Sequence, residues 1–131
     1  MTNKDVTNDF LNHAEYDMKT AKAMLDAGRY IYVTFMLEQA VEKLLKAIYV
    51  KELKQTPPYI HKLKKIAENL SIINELDEAQ LALFDELSAY YIASRYGETI
   101  DLLRKKFKKK NTEELFNKTK DMYKWLKSKL K

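Results

Sequence analysis

Along the first fifty residues apolar side chains recur at steps of three and four, and a single glycine interrupts them. Leu11, Ala14, Met18, Ala21 and Leu25 share one face of a helix expected from Asp5 to Ala27. Gly28 suits the left-handed position that ends a helix. From Tyr30 to Leu53 a denser stripe resumes with Val33, Leu37, Ala40, Val41, Leu44 and Ile48, flanked by Met36, Leu45 and Ala47. So brief a connection between two long helices makes them pack as an antiparallel hairpin. Thr56-Pro57-Pro58 closes the second helix, because proline has no amide hydrogen and drives the residue before it out of helical geometry.

Beyond the prolines the pattern predicts a shorter helix from about Tyr59 to Leu70, with Ile60, Leu63, Ile66 and Ala67 inward. Asp77 is placed to cap a fourth helix whose stripe is Gln80, Leu83, Phe84, Leu87, Tyr90 and Tyr91, reaching Arg95-Tyr96 before Gly97 weakens it. The stretch from Glu98 to Lys110 reads either as helix or as loop: Ile100, Leu103 and Phe107 are helically spaced, whereas the adjacent lysines repel one another. A last helix is expected with Asn111 or Thr112 and Glu114 as its capping box and Leu115, Met122, Leu126 and Leu130 inward. The reading is one all-α domain over 1–131, an up-and-down antiparallel bundle of four to five helices, five by this count.

Two Gly and two Pro in 131 residues leave little turn material, and 46% hydrophobic residues suffice for one core. Without cysteine there is neither a disulfide nor a thiolate metal site, and His13 and His61 have no carboxylates at zinc-ligand spacing, so neither a metal nor another cofactor is expected. The polar, acidic stretch from Met1 to Phe10 is unlike a secretory signal. The most apolar run, Val41 to Val50, contains Glu42, Lys43 and Lys46 and falls short of the ~20 apolar residues of a membrane span. A cytoplasmic protein without membrane association is expected.

The net charge of +5 hides an asymmetry: residues 1–103 carry 12 basic and 16 acidic side chains, and residues 104–131 carry 12 and 3, or −4 for the body and +9 for the C-terminal segment. A positive field confined to one end attracts phosphates or acidic surfaces with little effect on the fold. Its centre is Arg104, Lys105, Lys106, Lys108, Lys109 and Lys110, with Phe107 among them. This patch can neutralise several phosphates at once or serve only as a solvated face.

Four stretches, in order, carry a resemblance. They are Ala14, Asp17 and Ala21; Met24 to Tyr30, then Phe35 and Gln39 to Ala47; Pro58, His61 and Leu63; and Ser94-Arg95-Tyr96. Together they resemble the HEPN family, the higher-eukaryote and prokaryote nucleotide-binding domains, over about Asp9 to Tyr96, and the last helix fits by pattern alone. The resemblance implies a homodimeric helical bundle, frequently encoded beside a small nucleotidyltransferase in toxin-antitoxin-like modules, and nucleotide or RNA as ligand. Some members are metal-independent ribonucleases that carry an arginine followed by a histidine after four to six intervening residues. Here those positions hold Ile100, Asp101 and Leu102 after Arg95, Lys109, Lys110 and Asn111 after Arg104, and Thr34, Phe35 and Met36 after Arg29. None is histidine, the side chain best suited to moving a 2′-hydroxyl proton near neutral pH. The expectation is a binding subunit without catalytic residues. The alternatives are a ribonuclease in which Glu98 or Asp101 replaces the histidine, and a purely structural dimer.

Ser94, Arg95 and Tyr96 offer a hydroxyl, a forked cation and a stacking ring, a set suited to a phosphate or base. Arg95 can instead serve the helix dipole, and Tyr96 can cover the core edge. His61 is a candidate phosphate contact that can equally cap backbone groups or pack against Tyr59. Lys43, with Gln39 and Glu42, either lines a groove or pairs with a neighbouring helix; Glu42 and Lys46 have the spacing of an exposed ion pair, a contribution of ~0.3–0.5 kcal/mol.

Overall fold

In a computed structural model, the backbone of residues 1–131 is described throughout, as are all side chains except those of Glu98 and Thr99. Six α-helices are present: α1 (Asn3–Asp26), α2 (Tyr30–Leu53), α3 (Leu63–Ala67), α4 (Glu78–Ala93), α5 (Gly97–Lys106) and α6 (Lys109–Ser128), with a 3-10 turn at Ser71–Asn74. The all-helical reading holds. Most of the segment whose state the sequence left open, Glu98 to Lys110, belongs to α5, which brings the count to six, and its last two residues open α6.

Each boundary has a local cause. Thr2 and Asp5 exchange hydrogen bonds of 3.1 Å at the start of α1. Gly28 takes φ +74° in the turn that sends the chain back as α2. The second helix ends before the prolines: Lys54 adopts φ 55° and its amide donates to the Val50 carbonyl. The third helix is far shorter than its apolar spacing suggests. Tyr59 to Lys62 stay outside it, because the Ile60 amide turns back to the Pro58 carbonyl and the Leu63 amide is capped by Ser88 Oγ at 3.0 Å. Asp77 caps α4 as expected, but Gln80, read as part of the inward stripe, instead accepts from the Asp77 amide at 3.0 Å and completes a capping box. The last helix starts two to three residues before the expected cap: Asn111 Oδ1 accepts from the Lys108 amide at 2.7 Å, so Asn111 caps from within the first turn.

The α1–α2 hairpin is the scaffold, and α2 touches every other helix. Its predicted stripe is buried, as are Phe84, Leu87, Leu115 and Leu126 from α4 and α6. Phe107, between α5 and α6, is also buried and seats its ring 4.8 Å from that of Tyr90. Burial of side chains of this size contributes ~1.5–3 kcal/mol each, and that ties the basic C-terminal segment to the body. No helix is long and apolar enough to cross a membrane among the described residues.

Candidate functional site

A cleft of about 670 Å³ opens where the α1–α2 turn, the first two turns of α2, the end of α4 and the α5–α6 segment meet. Its apolar floor includes Tyr30, Ile31, Phe35, Met36, Ile100 and Phe107. Its cations are Arg29, Arg95, Arg104 and Lys108, and no acidic side chain lines it among the described residues. The chain has three arginines against 21 lysines, and all three arginines line this one cleft. A guanidinium presents a planar fork of donors and is less tightly hydrated than an ammonium, so it is the better partner for phosphate against an apolar wall. The combination of cations, rings and concavity suits a ligand with a phosphate and a flat apolar part.

Arg95 is held from below. Its guanidinium lies 4.5 Å from the Tyr91 ring centroid and donates a hydrogen bond to the Tyr91 hydroxyl. The Tyr91 ring is itself wedged edge-on between Phe35 at 5.5 Å and His61 at 5.2 Å. Burial raises the Tyr91 hydroxyl above the usual phenol range, although Arg95 opposes that shift. The ring therefore stays neutral and supports the cation. Ser94 lines the cleft with its Oγ turned to the Tyr91 carbonyl at 2.8 Å. Tyr96 does not cover the core edge: it is 63% exposed, beside the cleft and outside its lining.

Behind Tyr91 lies a buried polar cluster that includes Glu42, read from its spacing as half of an exposed ion pair. Glu38 is fully buried and Glu42 is 5% exposed. Glu42 receives Lys46 at 3.0 Å on one oxygen and approaches His61 Nδ1 at 3.1 Å with the other. The Glu42–Lys46 pair is thus present but buried, because α3, α4 and the segment leading to α3 close over α2. Gln39 donates to Glu38 Oε1 at 3.1 Å, while Glu38 Oε2 has no donor. Burial first, and then the charge of Glu42, pushes the Glu38 carboxyl up to about 9. Glu38 is consequently protonated near neutral pH.

The other candidates are dispersed. His61 packs edge-on against Tyr59 and pairs with Glu42, outside the lining of the arginine cleft. Lys43 pairs with Asp17 across the α1–α2 interface and does not line the arginine cleft. Of the basic patch, Arg104 and Lys108 reach the cleft, Lys106 donates to the Tyr90 hydroxyl at 2.9 Å, and Lys109 faces a different cleft; Lys105 and Lys110 are exposed. Asp101 is paired with Arg104 at 3.4 Å on the surface, and the Glu98 side chain lies outside the described residues. No group of three or more metal-ligating side chains is present among the described residues. Arg29 is not among the site residues expected from the sequence, although it lies within a stretch that carries the family resemblance; the further signal is the rarity of arginine in this chain and its place beside a helix-ending glycine.

The family model of the HEPN domain matches residues 7–129. The chain belongs to the HEPN family. Its fold is also that of TT1696 from Thermus thermophilus, whose crystal structure superposes with a TM-score of 0.78 at 19% identity, covering 94% of this chain and 97% of that one. No curated protein matches the chain closely. In this HEPN domain the match extends through α6, which the sequence fitted by pattern alone.

Proposed function

We propose that this HEPN domain is a binding subunit whose arginine cleft takes the phosphate of a nucleotide or RNA. The observation that carries the reading is the convergence of Arg29, Arg95 and Arg104, with Lys108, on one largely apolar cavity. Proton transfer has little support there: no histidine lines the cleft among the described residues, and His61 is tied to Glu42 beyond Tyr91. The subunit acts as a homodimer with a nucleotidyltransferase partner, a part of the reading that rests on family membership. Exposed Tyr32, Ile92, Tyr96 and Leu102 lie on the elements that build the cleft and supply apolar surface for the second copy.

The test is a salt series of binding to labelled RNA and to ATP, with the RNA examined for cleavage in the same tubes. Intact RNA, salt-sensitive binding and an approximately tenfold loss in Arg95→Ala are expected, the loss of one charge-assisted contact of ~1.5 kcal/mol. Specific metal-free cleavage would replace this reading with the ribonuclease alternative. Binding unaffected by Arg95→Ala, with the fold intact by circular dichroism, removes the cleft from it.

A further inference from the structure

On the other side of the Gly28–Tyr30 turn, the last turn of α1 and the first three turns of α6 enclose a second cleft. Gly28 and Tyr30 line both cavities, and the consecutive residues Lys108 and Lys109 line one each. The two are therefore neighbours, divided by a single turn of chain that forms a wall of both. Their chemistry differs. The first presents rings and aliphatic surface between its arginines; the second presents Lys22, Lys109, Lys120 and Asn117, with Asp26 and Glu113. Lys22 is engaged by Asp26 at 2.9 Å, whereas neither Lys109 nor Lys120 forms an ion pair among the described residues.

We propose that the two clefts form one track for a single-stranded polynucleotide, with an unstacked base in the arginine cleft and the neighbouring phosphates along Lys109 and Lys120. This rests on the phosphate-binding reading of the first cleft and extends it to a ligand class. A mononucleotide is accommodated by the first cleft alone and leaves the second without a role. The second offers ammonium and carboxamide donors for phosphate and sugar but has less apolar surface on which to hold a base. A strand joins the two requirements. The ligand is single-stranded because a stacked duplex withholds its base faces from rings such as Phe35 and the 59% exposed Tyr32, both in the first cleft.

The experiment titrates the full chain with labelled oligouridylates of two, four and eight nucleotides, an eight-base-pair duplex and ATP, for the wild type, Lys109→Ala/Lys120→Ala and Arg95→Ala. Both lysines are exposed, and circular dichroism verifies the fold of each variant. Affinity is expected to rise from dimer to octamer. The double variant is expected to weaken the octamer about tenfold and to lower the slope of log affinity against log salt by about 1.4, roughly 0.7 per phosphate, with ATP binding retained. A double variant that binds the octamer like the wild type overturns the track, and so does a duplex that binds as tightly as the octamer. In either case an Arg95→Ala loss for ATP leaves the arginine cleft standing. If Arg95→Ala changes nothing for either ligand, both readings fall.

Discussion

Glu38 contributes to the core in a way its residue type does not suggest. Its carboxyl is fully buried among Gln39, Glu42, Lys46 and Tyr91, and its pKa is pushed from 4.5 to about 9, by burial first and then by Glu42. A carboxyl with a raised folded pKa binds its proton more tightly in the folded chain. Its contribution therefore favours folding fully below pH 4.5 and is lost as the pH climbs towards 9. Glu38→Gln keeps a polar side chain of the same size but cannot ionise. Between pH 5 and pH 8.5, stability from urea unfolding should fall less for this variant than for the wild type, by on the order of 1–3 kcal/mol. An identical fall in both would mean that Glu38 does not titrate in this window. Arg95 gives the second prediction at this scale. Arg95→Lys keeps the charge but loses the fork, so it should recover less than half of the binding energy lost in Arg95→Ala, read by ATP titration.

The helix ends set the shape of the cleft. Gly28 holds φ +74°, and a Cβ added there would meet its nearest neighbour, Tyr30 Oη, only at 3.9 Å. Space is therefore ample and the cost of a side chain is in the backbone. Gly28→Ala should lose about 1–2 kcal/mol in urea unfolding, and Gly28→Asn less, since asparagine tolerates this region. Lys54 is the opposite case, a side-chain-bearing residue at φ 55° where α2 ends. Lys54→Gly should raise stability by about 0.5–1 kcal/mol in the same assay. Unchanged stability would show that the α2 terminus is frayed in solution.

Across the whole molecule, the exposed side chains of Tyr32, Ile92, Tyr96 and Leu102 lie on the elements that build the cleft, so binding and self-association are expected to be linked. Sedimentation velocity should give a dimer for the wild type and a monomer for Tyr96→Lys/Leu102→Lys, with the helical content retained. Tyr96 and Leu102 are each more than 60% exposed in the single chain, so the variant removes apolar surface without opening the core. A dimer that survives it would place the interface elsewhere. Linkage predicts that a ligand seated against that interface tightens the dimer by the factor by which dimerisation tightens ligand binding.

Much of the fold is legible in the sequence because helical periodicity and capping are local. The α1–α2 hairpin, the Asp77 cap and the buried stripe from Val33 to Ile48 follow from residues within a few positions of one another. The family is legible as well, through short motifs in order, and Ser94, Arg95, Arg104 and Lys108 stand out by residue type without revealing where they meet. Three things are decided by tertiary structure. Glu38 and Glu42 become buried only because α4 and the segment leading to α3 close over α2. The reach of α3 is cut short by a cap from Ser88, 25 positions along the chain. The cleft joins Arg29 to Arg95 and Arg104 across more than sixty residues of sequence. Periodicity states which face of a helix turns inward; which side chains meet there depends on how far each helix slides and rotates against the next, and that is settled by packing the whole core at once.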